Sequence, residues 1–151
     1  MTSTTDCEIV LTRTVAAPRH LVWQAFTDPA QVAQWWGPDG FTNTVHQMEV
    51  RPGGVWRLTM HGPEGTDYPN RIDYLVVQEP ERLEYRHSDD GASNLEFHTT
   101  ITLDVVENGT LVTLRTLFAT AELRDQIATY AIEGGNQTLG RLAAFMAQRR
   151  P

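Results

Sequence analysis

Lysine is absent from the 151 residues, and all twelve basic side chains are arginine. No side-chain amine is therefore available for Schiff-base chemistry or for the lysine of a phosphate-binding loop. Cysteine is almost as scarce. Cys7 stands alone, which excludes an intramolecular disulfide framework and every cysteine-rich zinc motif, and fits a reducing compartment. No apolar run reaches membrane-spanning length, and the opening Met-Thr-Ser-Thr-Thr-Asp-Cys-Glu has neither the basic stretch nor the apolar core of a secretion signal. Positive charge is thin: the formal net charge is −7 and the arginines are scattered, a poor match to a phosphate backbone. The expectation is a soluble cytoplasmic protein that takes neither nucleic acid nor membrane as partner. Serine occurs only as Ser3, Ser88 and Ser93, none in a Gly-x-Ser-x-Gly elbow. His20, His46, His61, His87 and His98 form no His-Glu-x-x-His pair. Neither a nucleophilic triad, a metal nor a cofactor is expected.

The length suits one domain spanning residues 1–151. Its most informative stretch runs from Ala17 to Gly54. Pro18 suits the first turn of a helix that carries Trp23 and Phe26 near one face. A second short helix comes at once, with Asp28 as N-cap, Pro29 as first residue and Gln31 placed to reach back to the cap's own N–H. Trp35 and Trp36 end it before Gly37-Pro38 and form one wall of a pocket.

Turn signals then recur at Pro52-Gly53-Gly54, Gly62-Pro63-Glu64-Gly65, Glu79-Pro80-Glu81, Asp89-Asp90-Gly91 and Asn108-Gly109. The segments between them alternate as strands do. Phe97, Thr99, Ile101, Leu103 and Val105 oppose His98, Thr100, Thr102 and Asp104, and Val112, Leu114, Thr116 and Phe118 oppose Leu111, Thr113, Arg115 and Leu117. With Glu8 to Val15 ahead of the helices, the count is about seven strands. From Ala121 to about Gln148 the turn signals stop, and a helix roughly 40 Å long fits, with Thr120 as its cap. Ile127, Ala131, Gly135, Leu139, Leu142 and Met146 share one side of it. That side needs an apolar surface, so the architecture is a curved antiparallel sheet gripping a long C-terminal helix. Gly134, Gly135 and Gly140 leave two readings open: a kink or close packing contact, or a helix thinned where it roofs a cavity.

The set Arg13, Ala17-Pro18, Val22-Trp23, Thr27-Asp28-Pro29, Trp35-Trp36-Gly37-Pro38, Gly40-Phe41, Arg51-Pro52-Gly53-Gly54, Trp56-Arg57, Met60, Gly62-Pro63, Gly65, Tyr68-Pro69, Pro80-Glu81-Arg82-Leu83 and Leu139/Leu142 covers nearly the whole chain. It resembles the SRPBCC (START-like, birch-pollen-allergen-like) superfamily and, within it, bacterial relatives of the activator of the Hsp90 chaperone ATPase. The resemblance implies an α+β helix-grip fold with a hydrophobic cavity between sheet and helix. It implies no single activity, because this fold serves lipid carriers, polyketide cyclases and chaperone-binding domains alike. Many relatives carry Gly-Trp in the final helix where this chain has Gly135-Asn136, and the missing tryptophan enlarges or re-opens the cavity.

Candidate ligand-binding residues are Trp23, Trp36, Phe41, Trp56, Met60, Tyr74, Tyr85, Phe97, Phe118, Tyr130 and Met146, apolar enough to line a pocket. Asn70, Arg71 and Asp73 are candidates for a polar contact near its mouth, and Arg51 and Arg57 for surface ion pairs. Candidate acid–base groups are Tyr85, His98 and Glu96, with Tyr74 and His87 on the same run of strands, although strand alternation turns His98 and Glu96 toward water. His87 and Asp89 come nearest to a metal pair and fit an exposed turn better. Three functions suit these residues. The first is binding of a small hydrophobic or amphipathic ligand by a monomer or homodimer. The second is a cyclase- or aromatase-type enzyme, and the third an Hsp90-type chaperone partner or ATPase activator.

Overall fold

Thr99, Ile101 and Leu103 are buried while Asp104 is exposed and His98, Thr100 and Thr102 are only partly covered, so the alternation in sequence becomes two faces of a sheet. The computed structural model describes residues 7–90 and 96–148. In chain order these form β1 (Glu8–Val15), α1 (Arg19–Thr27), α2 (Pro29–Trp35), β2 (Thr42–Met48), β3 (Val55–His61), β4 (Asp67–Gln78), β5 (Arg82–Ser88), β6 (Glu96–Val106), β7 (Gly109–Leu117) and α3 (Ala121–Gln148). The strands make one curved antiparallel sheet in the order β1-β7-β6-β5-β4-β3-β2. Strands β2 to β7 are a meander, and β1 closes the far edge by pairing with β7, Glu8 opposite Leu117 and Val15 opposite Thr110. Register shifts between Val45 and Gln47 in β2 and between Tyr74 and Val76 in β4 add the local bend that curves the sheet.

Because β1 and β2 lie on opposite edges, α1 and α2 must carry the chain across the concave face. Asp28 joins them. Its N–H donates to Gln24 O at 2.9 Å and ends α1, while its carboxylate accepts the Ala30 N–H at 3.0 Å and starts α2. The cap N–H is thereby occupied, so Gln31 does not reach back to it. Its Nε2 donates to the Asp28 carboxylate instead, at 3.0 Å. Pro18 stands one place earlier than expected, at the N-cap of α1.

The Asn108-Gly109 signal also shifts by one residue. Val106 pairs with Gly109, so Glu107 and Asn108 form the turn and Gly109 opens β7. Glycine is required there twice over: its φ is +138°, and a β-carbon would fall 2.1 Å from Val15 O on the adjoining strand. The Thr110 hydroxyl then donates to Ala17 O at 2.8 Å, fully buried.

Thr120 caps α3 as expected, its Oγ1 accepting the Leu123 N–H at 3.0 Å. The helix runs unbroken and buries Leu139, Leu142 and Met146. A line of edge-to-face aromatics ties α1 through α2 to β3: Phe26 to Trp35 at 4.9 Å, Trp35 to Trp36 at 5.6 Å and Trp36 to Trp56 at 4.9 Å. Trp35 Nε1 donates to Ala25 O at 3.1 Å, so the ring is fixed at both its apolar and its polar end. No helix among the described residues is long and apolar enough to cross a membrane.

Candidate functional site

Between the concave face and α3 lies a cavity of about 260 Å³. One wall is the end of α2 and the turn beyond it, Trp35, Trp36, Gly37 and Pro38. The floor comes from alternate residues of three strands: Tyr85 and His87 of β5, Phe97, Thr99 and Ile101 of β6, and Val112, Leu114 and Thr116 of β7, with Phe118 beyond. The roof is α3 from Ile127 to Leu139. Tyr130 lines the cavity yet is 80 % exposed, which puts it at the mouth.

Glycine makes the roof thin. Gly134 and Gly135 both line the cavity, and a β-carbon on Gly135 would meet Leu11 Cδ1 at 2.4 Å. Close packing on β1 and a thinned roof thus coincide at this turn of α3, without a break in the helix.

The tryptophan wall is held from α3 by Arg141. Its Nη1 donates to the carbonyls of Trp36, Gly37 and Pro38 at 3.1, 2.9 and 2.8 Å. Its Nη2 donates to Phe41 O at 2.9 Å and, more weakly, to Gln34 O at 3.4 Å. One guanidinium from another helix thus collects the carbonyls of the turn that follows α2. Burial lowers the Arg141 pKa, with Asp39 acting in the opposite sense. Gln137 adds a second tie, its Oε1 accepting the Asp39 N–H at 3.0 Å, and Asn43 Nδ2 donates to Trp36 O at 2.9 Å. Gly37 turns the chain at φ +93°, a conformation that side chains rarely adopt.

The polar groups facing the cavity are few. The Tyr85 hydroxyl has its pKa raised by burial, against a smaller opposing effect of hydrogen bonding with Thr99, so it stays protonated at neutral pH. Its neighbour Tyr74, 6.2 Å away edge to face, is raised in the same way. His87 also lines the cavity. Burial lowers its pKa to about 4, Asp89 pulling weakly the other way, so the ring is neutral at pH 7. Its Nε2 meets Asn70 Oδ1 at 2.5 Å. Because Asn70 Nδ2 donates to Tyr68 O at 3.0 Å, the amide orientation is set, and His87 Nε2 is the donor. The Nδ1 atom is then the ring's acceptor. Among the described residues, none that lines the cavity is an arginine, aspartate or glutamate.

The profile of the family described as "Activator of Hsp90 ATPase homolog 1-like protein" matches residues 16–147. This chain belongs to that family. Solved structures agree on the fold. NE0264 from Nitrosomonas europaea is 24% identical with a TM-score of 0.87, over 99% of this chain and 100% of that one. Ms6760 from Mycobacterium smegmatis is 26% identical with a TM-score of 0.85, over 99% and 96%. DynU16, a protein of the dynemicin biosynthetic locus, is 24% identical with a TM-score of 0.69, over 93% of this chain and 47% of its own. No curated protein matches the chain.

On this Hsp90-activator-like scaffold the candidate residues separate. Trp36, Met60, Tyr85, Phe97, Phe118 and Tyr130 line the cavity. Trp23, Trp56, Tyr74 and Met146 are packed into the core instead. Phe41 packs against Tyr68 with ring centres 5.9 Å apart. Glu96 and His98 lie on the outer face of the sheet, lining a surface hollow with Arg86. There His98 Nε2 meets Glu84 Oε1 at 2.8 Å, and Arg82 Nη2 donates to Glu84 Oε2 at 3.1 Å. Arg71 pairs with Asp73 at 3.0 Å, Arg51 with Glu49 at 3.2 Å and Arg57 with Asp90 at 2.7 Å. His87 does not sit in an exposed turn but faces the cavity, as do Thr99 and Thr116, which the sequence did not mark as site residues. Parity is the signal that finds them: His87 is two residues from Tyr85 on one strand, and residues two apart share a face.

Proposed function

We propose that this cavity binds one small, mainly apolar molecule and holds it without altering it. The supporting observation is the cavity itself, about 260 Å³ walled by aromatic and aliphatic side chains with a few hydroxyls and one imidazole, the usual make-up of a small-molecule site. An enclosed apolar space of about 150 Å³ is enough to take up benzene. Of the acid–base candidates Tyr85, His98, Glu96 and His87, Tyr85 and His87 line the cavity and Glu96 and His98 do not. No carboxylate joins them among the described lining residues, which weighs for binding over cyclase-type turnover. The chaperone reading rests on the family's name.

Native mass spectrometry of gently purified protein, followed by denaturing extraction, tests this. A reproducible adduct of defined mass, released on unfolding, is the expected result. Bare protein that also fails to take up any added apolar aromatic would overturn the proposal.

A further inference from the structure

We infer that the occupant of this cavity is an uncharged molecule of one or two rings bearing a hydroxyl or N–H group, which it donates to His87. The inference rests on the reading of the cavity as a binding site and goes beyond it in naming the chemical class.

Size comes first. At about 260 Å³ the space exceeds the roughly 150 Å³ that takes benzene, room for one or two rings within its walls. Shape comes from the walls. Trp36, Tyr85, Phe97, Phe118 and Tyr130 present ring faces and edges, and Phe97 and Phe118 meet edge to face at 5.0 Å. Flat ligands match such surfaces through the same offset and edge contacts.

Charge is decided by what the lining lacks. A carboxylate drawn in here would lose its hydration and find no cation among the described lining residues. The guanidinium that holds the wall, Arg141, already donates to the carbonyls of Gln34, Trp36, Gly37, Pro38 and Phe41. An ammonium would find no carboxylate among the described residues that line the site. Polarity is decided by His87. The chain Tyr68 O, Asn70 amide, His87 Nε2 runs in one direction, so the imidazole presents an acceptor at Nδ1. A ligand donor satisfies that acceptor, whereas an ether or ketone sets two acceptors against each other. The hydroxyls of Tyr85 and Thr99, able to give or accept, impose no such direction.

Four probes matched in ring system test the class on the full chain at pH 7, by quenching of tryptophan fluorescence: 2-naphthol, naphthalene, 2-methoxynaphthalene and 2-naphthoate. The expected result is that 2-naphthol binds at least ten-fold more tightly than each of the others. In His87→Phe, which keeps an apolar ring but removes the acceptor, 2-naphthol falls to the level of naphthalene. His87→Gln, which retains an acceptor oxygen, keeps part of the preference and serves if the phenylalanine variant does not fold. Equal binding of 2-naphthol and 2-methoxynaphthalene, or of 2-naphthol and 2-naphthoate, overturns the inference while leaving the cavity a binding site. Failure of all four to bind removes the binding site as well.

Discussion

Gly135 leaves room for Leu11: a β-carbon on that glycine would lie 2.4 Å from Leu11 Cδ1, where real side chains never approach. One position earlier the situation differs, since a β-carbon on Gly134 would stand 3.4 Å from Pro38 Cγ, an ordinary contact. Alanine is favoured over glycine within a helix by about 1 kcal/mol. Gly134→Ala is therefore expected to stabilise the protein by about 0.5–1 kcal/mol. Gly135→Ala must force Leu11 from its rotamer at about 0.5–1.5 kcal/mol, which cancels the gain. In a Leu11→Ala background the same substitution should recover about 1 kcal/mol. Urea unfolding of the four proteins measures the coupling, and a value below about 0.3 kcal/mol would deny the contact.

His87 predicts the direction of a pH effect on stability. Its pKa falls to about 4 in the folded protein from an ordinary 6.5, so between those values the unfolded chain binds more protons. Stability is then complete above about pH 6.5, declines as pH falls through this window, and levels off below about 4. With the ring only partly covered, the loss is on the order of 2 kcal/mol. Glu84 acts at more acid pH. Burial raises its pKa, but hydrogen bonds from Arg82 and His98 outweigh that and hold it below its usual value. Its contribution, present above the ordinary carboxyl pKa, is lost as pH falls further. Chemical unfolding of the unaltered protein and His87→Gln from pH 7 to 5 separates the two. If both lose stability at the same rate, the His87 imidazole is not the cause.

Arg141 carries a prediction about the wall. Removing it in Arg141→Ala strips the donor from carbonyls of Gln34, Trp36, Gly37, Pro38 and Phe41. The expected cost is about 2–4 kcal/mol, since hydrogen bonds from charged donors are worth about 1.5–3 kcal/mol each and water takes over some of them. Arg141→Lys should restore less than half, because an ammonium cannot reach a row of carbonyls as a planar fork does. Unfolding monitored by fluorescence reads this directly, with Trp35 and Trp36 beside the altered contact. A loss below about 1 kcal/mol would mean that the Trp36–Phe41 segment holds its own shape.

Most of the fold is legible in the sequence because its elements are punctuated by residues with strong local preferences. Asp28-Pro29, Thr120, Gly54, Gly62 and Gly109 mark boundaries within a residue of where they fall, Gly91 lies outside the described residues, and period-2 alternation puts Val112, Leu114, Thr116 and Phe118 on the cavity side. What escapes is what depends on third parties. Gln31 has the spacing to bond the cap N–H, but that N–H already belongs to Gln24 in the preceding helix. Trp56 and Tyr74 have the chemistry of a pocket wall, yet which end of the sheet stays open depends on where α1 and α2 cross it. Arg141 gives no sign at all, because its partners are backbone atoms about a hundred positions earlier in the chain. His87 has two readings in sequence, an acid–base group on the strand of Tyr85 and half of an exposed pair with Asp89, and the ring lines the cavity floor beside Tyr85.

The pairing of β1 with β7 sets the order of assembly. Among the described residues Glu8 pairs with Leu117 and Val15 with Thr110, so the first strand of the sheet waits for the last. Long sequence separations of this kind slow folding. The meander from β2 to β7 has local partners and can form while β1 is still unpaired. The roof, α3, is made later still and rests its Gly135 on Leu11 of that same first strand. The chamber is therefore completed by its earliest and latest elements meeting, and a nascent chain stalled before β7 has strands but no place to put a guest.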